Sequence, residues 1–314
     1  MTTSVCMGIY NGENYIEEQL TSLLRQTRRA EEVILCDDNS TDRTVAIVSG
    51  FIETNHLQES WKLFQNQENK GYPGNFYYIM SLCKMEVVFL ADQDDIWDEH
   101  KIERMCAVLE RHPQAYVLAC KFGLMDAADK RIHAVMAPSH SLETGRLRQV
   151  GLREIFRKYQ WPGMVLAYRN EWYGKRRRGL HCTQGGLGLP HDIFLCAMAA
   201  EDRGFFQMDE ELAYHRRHSN NTAAEEHRVG KLLQKDRKLW EIERYLVMLG
   251  EFQEWQVLRT EAGKRTLREK IRAMEGRYEA LQSGKIWRVL RAAARDWRQV
   301  RVATVVCDLV IVRG

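Results

Sequence analysis

Short apolar runs and helix-spaced apolar positions alternate along the first hundred residues. Residues 4–10, 33–36 and 87–91 are apolar runs of strand length, and uninterrupted runs of that kind predict strands buried on both faces of a parallel sheet. Between the first two, Ile16, Leu20, Leu23 and Leu24 recur at helical spacing and predict a helix over 13–26. A second helix is expected after Asn39-Ser40-Thr41-Asp42, whose short polar side chains can accept from its free amides. Val45, Ile47, Val48, Phe51 and Ile52 supply its buried side. A strand near 61–65 and a helix beginning around Pro73 complete a βαβαβ pattern. Such a pattern is the nucleotide-binding half of a doubly wound sheet, which takes its ligand at the carboxyl ends of the strands.

The pattern then changes twice. From about 114 to 221, strand-like stretches at 116–119 and 163–168 alternate with turns, and 175–188 has no regular period and reads as a long loop. All five prolines precede residue 191, and from Thr222 the chain is charged and periodic, which predicts successive helices. The boundary is expected near 222, with an α/β domain over 1–222 and a basic helical region over 223–314.

Composition narrows the class. With 45% hydrophobic and 28% charged residues the chain is globular, and no run reaches the roughly 18 apolar residues of a membrane span. Residues 1–222 carry 26 Lys+Arg against 30 Asp+Glu, while 223–314 carry 20 against 13. A basic tail on a mildly acidic body suits an anionic surface, or is a solvated helical face; nucleic acid is not expected as a partner. The first residues run directly into a strand pattern without a charged and apolar leader, so a cytoplasmic location is expected. Eight cysteines without a CxxC pair read as reduced thiols, several of them within apolar runs.

The strongest chemical signal is Phe89-Leu90-Ala91-Asp92-Gln93-Asp94-Asp95, an apolar strand ending in three carboxylates where the sheet opens onto its ligand crevice. Two close carboxylates bind a hard divalent cation, which can offset the charge of a diphosphate; the plainer reading is a polar strand end that caps a helix over 96–109. Asp37 and Asp38 also follow a strand, and one of them can accept the imide N–H of a pyrimidine, with Tyr10 offering a face for stacking. An Asx-rich turn and a packed tyrosine are the alternatives. Asp192 opens an apolar helical stretch and is either its cap or a general base. Tyr214-His215-Arg216-Arg217-His218-Ser219-Asn220-Asn221 suits a phosphate or a metal, or is a solvated basic turn.

The order of these motifs resembles the family 2 glycosyltransferases, which have the GT-A fold, and among them bacterial rhamnosyltransferase-like enzymes. The resemblance covers roughly 3–221. It runs from Ile9-Tyr10-Asn11-Gly12-Glu13-Asn14-Tyr15 through Cys36-Asp37-Asp38-Asn39-Ser40-Thr41-Asp42 and Asn69-Lys70-Gly71. It continues in Ala91-Asp92-Gln93-Asp94-Asp95-Ile96-Trp97 and His191-Asp192, and ends in Arg216 with His218 and Asn221. It implies an α/β fold of the GT-A kind, a Rossmann-like and mostly parallel doubly wound sheet with an α-helical C-terminal extension. It implies that Tyr10, Asp37, Asp38, Lys70, Asp92 and Arg216 contact a dTDP- or UDP-sugar. Asp92, Asp94 and His218 would hold Mn²⁺ or Mg²⁺, and Asp192 would be the catalytic base. The expected reaction is a single inverting displacement onto a hydroxyl of a cell-surface glycan or lipid-linked acceptor. Gln160-Trp161-Pro162-Gly163-Met164 stands where many relatives have a Thr-Gly-Cys-like stretch, and His215 replaces a tyrosine, so the donor sugar stays open.

Two other functions compete. Clustered aspartates after a strand also serve Mg²⁺-dependent phosphoryl or nucleotidyl transfer, but the aspartyl-phosphate and P-loop patterns are missing. A degenerate, non-catalytic membrane-surface adaptor is the second. In 284–302, Trp287, Leu290, Ala294 and Trp297 share one helical face, with Arg288, Arg291, Arg295 and Arg298 one position on. That pairing suits the headgroup boundary at the inner membrane face, or packing in a homodimer.

Overall fold

The structure is a computed structural model that describes residues 1–126, 131–132, 146–178, 188–218 and 234–313. It divides into two compact units, 1–150 with 161–217, and 151–160 with 218–314. The expected boundary at 222 therefore moves to 217, and ten residues assigned to the first domain join the second unit.

The first unit is built on one sheet. Strands β1 (Thr3–Ile9), β2 (Glu32–Asp37), β3 (Trp61–Gln65) and β4 (Val87–Ala91) form its parallel half in the order β3-β2-β1-β4. All five residues of β4 are buried, as an apolar run without alternation requires. Helices α1 (Ile16–Leu24), α2 (Thr44–Thr54) and α3 (Gly71–Leu82) make the crossovers. Asp42 precedes the cap position of α2, Arg43, which makes no side-chain hydrogen bond; one Asp42 carboxylate oxygen accepts from Thr44 N at 3.0 Å and the other from Glu13 N at 3.2 Å.

Beyond β4 the sheet is mixed. β5 (Ile96–Trp97) is followed by α4 (Lys101–Arg111), β6 (Val117–Asp126), β7 (Arg131–Ile132) and β8 (Leu147–Gln149). β9 (Leu166–Arg169) leads into α6 (Asn170–Arg177), α7 (His191–Glu201) and the 13-residue β10 (Phe205–Arg217). The long strands β6 and β10 are parallel, but β9 lies antiparallel between β4 and β6, and β5, β7 and β8 pair antiparallel at the margins. Short antiparallel strands need no crossover helix, so turns suffice to insert them.

Three local expectations are corrected. The helix expected from 96 begins at Lys101, because Ile96 and Trp97 pair with Tyr214 and Ala213. Residues 163–165 are a 3₁₀ turn rather than strand. Lys175, Arg176 and Arg177 belong to α6, where Arg176 is buried against Glu201 at 2.7 Å; residues 179–187 of the expected loop lie outside the described residues. Seven described cysteines are unpaired, and all of those but Cys307 are buried.

The second unit is helical: α5 (Leu152–Arg157), α8 (Lys235–Glu254), α9 (Glu261–Ser283), α10 (Ile286–Arg295) and α11 (Val302–Arg313). Thr260 caps α9 by accepting from Gly263 N at 3.0 Å, and Gly284 closes it at φ +66°, where a side chain would be strained. The single helix expected over 284–302 is broken at Arg295. Asp296 turns inward, 4% exposed, and takes ion pairs from Arg272 and Arg295. Trp297 lies beyond the break.

Candidate active site

The carboxyl ends of β1, β2 and β4 are lashed together by side chains that bond to backbone. After β1 the chain turns through Asn11 at φ +46°, and after β2 through Asn39 at φ +67°; asparagine tolerates this region better than most residues. Asn11 N donates to Ser40 Oγ at 2.9 Å, Thr41 N to Asn11 Oδ1 at 2.9 Å, and Gly12 N to Thr44 Oγ1 at 2.8 Å. Gln93 grips the β1 loop from the β4 side, accepting from Tyr10 N at 2.8 Å and donating to Tyr10 O at 2.9 Å. A Cβ on Gly12 would lie 2.5 Å from Gln93 Oε1, so this grip requires glycine. It holds the Tyr10 ring at the crevice, 47% exposed.

Asp37 and Asp38 are both 3% exposed. Asp38 Oδ1 accepts from Asn66 Nδ2 at 2.8 Å and from Lys70 N at 2.9 Å. Asn66 also donates to Asn75 Oδ1, and Asn75 to Cys36 O, so a buried amide network fixes the end of β2. Asp37 Oδ2 accepts from Ser40 N at 2.9 Å, while its Oδ1 is buried without a hydrogen-bond partner. A buried carboxylate oxygen in that condition is expensive unless something donates to it.

The carboxylates after β4 sit differently from one another. Asp95 is fully buried, and its Oδ1 accepts from His215 Nδ1 and Arg216 N, both at 3.0 Å. Burial alone would lower the His215 pKa, but the Asp95 hydrogen bond and charge, with Asp92 and Asp94 beyond, raise it above the ordinary value. Arg216, 1% exposed, donates to Asp94 O at 2.9 Å, pairs with Glu18 and lies 4.9 Å over the Tyr15 ring. The arginine expected among the donor contacts is instead a buried strut beneath the Asp94 backbone. Lys70 is exposed; its amide holds Asp38 and its ammonium lies 4.3 Å over Tyr78.

Asp92 has a raised pKa, first from burial and then from Asp95, Asp94 and Asp192, with His215 opposing. Those neighbours bring Asp192 into one electrostatic cluster with the strand-end carboxylates. The Tyr72 hydroxyl senses the same pair: burial first, then Asp192 and Asp92, raise its pKa. Asp192 stands in the first turn of α7, its Oδ1 accepting from Ile193 N at 2.7 Å. The cap position of α7 is Pro190, which makes no side-chain hydrogen bond, so Asp192 is a first-turn carboxylate and a cluster member but not the cap.

Three further residues have a part in the site that the sequence did not assign them. His191 is 2% exposed and stacks on Phe76 at 3.8 Å; both ring nitrogens lack partners, and burial lowers its pKa to about 3, so it is neutral. Gly163 makes room for it, since a Cβ there would lie 2.8 Å from His191 Nε2. Lys101 is fully buried, donates to Met164 O and lies 3.5 Å over Trp97; burial lowers its pKa to about 8, while Asp95 and Asp92 oppose the fall. Gln93 is the third. Its position inside the acidic motif hid a backbone-clamping role.

Among the described residues no three His, Cys, Asp or Glu side chains gather as ligands for a metal ion. His218 belongs to the second unit, and Asn221 lies outside the described residues.

Comparison with known proteins agrees with this geometry. The sequence model of Glycosyl transferase family 2 matches residues 4–165, just over half of the chain. The putative glycosyltransferase EpsE of Bacillus subtilis is 36% identical over 109 residues, covering 35% of this chain and 38% of EpsE. The Escherichia coli protein WfgD, a UDP-Glc:alpha-D-GlcNAc-diphosphoundecaprenol beta-1,3-glucosyltransferase, is 30% identical over 106 residues, 34% of this chain and 40% of its own. The chain thus spans about two fifths of the length of these curated relatives. Among solved structures, S. aureus TarS 1-349 in complex with UDP superposes with a TM-score of 0.61 at 18% identity, over 99% of this chain and 90% of that one. At that identity the likeness speaks for the GT-A fold alone. The chain belongs to glycosyl transferase family 2.

Proposed function

We propose that the chain moves one sugar from a dTDP- or UDP-linked donor to a hydroxyl of a cell-surface glycan or lipid-linked acceptor, inverting the anomeric centre. The observation that carries this reading is the gathering of Asp92, Asp94 and Asp192 in one charge cluster, at the same edge of the sheet to which β2 delivers Asp37 and Asp38. Burial first, and then the charges of Asp95, Asp94 and Asp192, raise the Asp92 pKa; the clustered carboxylates suit Mn²⁺ or Mg²⁺. The ion would rest on Asp94 and Asp92. Mg²⁺ commonly takes one or two carboxylates and completes its shell from substrate phosphates and water, so a three-residue cage is not required. Bound there, the cation would offset the charge on the departing diphosphate.

The remaining chemistry belongs to the chain. Asp192 takes the proton of the acceptor hydroxyl, whose oxygen attacks the anomeric carbon opposite the donor diphosphate. The bond to the diphosphate breaks and its electron pair leaves with that group. Tyr10 stacks on the base, and Asp38 keeps its loop in place. Asp37 Oδ1 accepts the imide N–H of uracil or thymine, which would give that buried oxygen its donor. The names of WfgD and of UDP-bound TarS are in keeping with such a donor. Membership of the family sets the phosphoryl-transfer alternative aside.

The experiment is a panel of UDP-, dTDP- and GDP-sugars with Mn²⁺, read for binding and slow hydrolysis. Pyrimidine donors should bind and turn over. Asp37→Asn keeps an acceptor for Ser40 N but turns the other atom into a donor facing the imide. Pyrimidine-donor affinity should fall roughly 10–100-fold, with turnover of bound donor nearly unchanged. Equal binding of all three bases would refute the assignment, and hydrolysis of none would favour the adaptor.

No described helix is long and apolar enough to cross a membrane. The second unit nevertheless exposes Trp287 (54%), Leu290 (50%), Trp297 (64%), Val302 (77%) and Val306 (53%). Arg288 and Arg298 lie over the two tryptophan rings at 5.4 and 5.0 Å. We infer that this face rests on an anionic membrane surface, rings in the interface and guanidinium groups on phosphate. The full chain should sediment with phosphatidylglycerol vesicles at low salt, and Trp287→Ala with Trp297→Ala should release most of it. A chain that ignores such vesicles and elutes as a dimer assigns the face to self-association instead.

A further inference from the structure

The helical unit holds a second polar site with no part in sugar transfer as read above. A cavity of about 180 Å³ is lined by Arg157 of α5, Tyr245 of α8, Lys270 and Arg277 of α9, and Gln299 and Arg301 ahead of α11. It has room for several waters or one small oxyanion. Lys270 is 4% exposed and donates to Gln299 O at 3.0 Å.

Its charge balance is one-sided. Arg277 is matched by Asp308 through two bonds of 2.6 and 2.7 Å. Glu269 is engaged by Arg153 at 3.2 Å and by Gln299 Nε2 at 3.0 Å. Lys270 has no such partner: burial first, then Arg277 and Arg157, lower its pKa to about 8, so a buried cation faces two more cations. Arg157 and Arg301, both exposed, line the same cavity. The N-terminal turn of α11 lies alongside, and its first amides have no acceptor within the helix. Gln299 is 3% exposed, and its Oε1 is a buried acceptor without a hydrogen-bond partner.

We propose that this cavity is a binding site for a phosphate-class anion, a phosphate monoester or pyrophosphate group held by Lys270, Arg157 and Arg301. Such an anion answers both anomalies. Its charge offsets the clustered cations, and its partly protonated oxygen can donate to Gln299 Oε1. A carboxylate would answer only the first. The group can arrive as a free anion or as the headgroup of a lipid, and α11 turns Val302 and Val306 outward beside the cavity's rim.

The test uses the full chain in excess chelator, which removes cation-assisted binding at the Asp92–Asp94 site. Inorganic pyrophosphate is titrated calorimetrically into the wild type, Lys270→Met and Arg157→Ala. Lys270→Met keeps the volume of the buried stem, Arg157 is exposed, and circular dichroism verifies both folds. Saturable binding that weakens roughly tenfold or more in each variant is the expected result. In parallel, phosphatidylcholine vesicles carrying either phosphatidic acid or phosphatidylglycerol are compared. A preference for phosphatidic acid that pyrophosphate competes away and Lys270→Met abolishes identifies the lipid source. Pyrophosphate binding without that preference identifies a free anion. Binding equal in all three proteins, or neither binding nor preference, overturns the proposal. Asp37→Asn should leave this binding unchanged, so the result stands apart from the reading of the catalytic unit.

Discussion

Asp192→Asn should lower turnover by roughly 10²–10⁴, the range in which a general base contributes, while donor affinity stays near the wild-type value. The substitution isolates the proton-accepting role. Asn keeps an oxygen able to accept from Ile193 N, as Asp192 Oδ1 now does at 2.7 Å, so the bond in the first turn of α7 is retained. Removing one charge also relieves Asp92, because Asp192 is among the groups that raise its pKa. The Asp92 pKa should therefore move toward the ordinary carboxylate value, and the protein should not lose thermal stability. Steady-state kinetics on a soluble acceptor, set beside a thermal melt, separates the two roles. Wild-type turnover in Asp192→Asn would leave the residue as a first-turn carboxylate with no catalytic part.

Asp94→Ala should reduce transfer by roughly 10³-fold or more, since a cation that offsets diphosphate charge is worth several kcal/mol in the transition state. The fold should survive. The Asp94 backbone carbonyl that receives Arg216 is retained, and the fully buried carboxylate at this turn is Asp95. Asp95→Ala should by contrast fail as a stability mutant, because it strips the half-buried His215 ring and the buried Arg216 amide of their acceptor. The metal reading also carries a pH signature. Asp92 has a raised pKa, so its folded form holds a proton to higher pH than the unfolded chain does. Ionising it in the native state costs stability as pH rises from the unfolded value through the folded one. A divalent cation binds the ionised form and opposes that cost. Added Mn²⁺ should raise the melting temperature at neutral pH, do less in acid, and move the acid limb of activity to lower pH. A melt and a rate indifferent to both Mn²⁺ and chelator would sink the metal assignment.

Much of the site is legible in the sequence because it lies on consecutive strand ends. Tyr10, Asp37 with Asp38, and Asp92 with Asp94 each follow an apolar run, and a parallel sheet delivers such positions to one edge. Side-chain direction is not legible in the same way. Arg216 and His218 are two residues apart in one motif, yet Arg216 turns under Asp94 while His218 falls in the other unit. Gln93 reads as a spacer between two acids, and only the approach of the β1 loop makes it the clamp on Tyr10.

From local pattern alone, the chain determined its parallel half-sheet, the acidic strand ends, the proline-free helical tail and the family resemblance. All of these rest on periodicity or on residues close together along the chain. Tertiary structure decided what depends on pairing at a distance. It placed β9 antiparallel between β4 and β6, ended the tail helix at Arg295 by turning Asp296 inward, and gave 151–160 to the helical unit. It also brought Asp192 to Asp92 across a hundred residues of sequence. Charge repulsion and burial act through space, and no spacing along the chain encodes them.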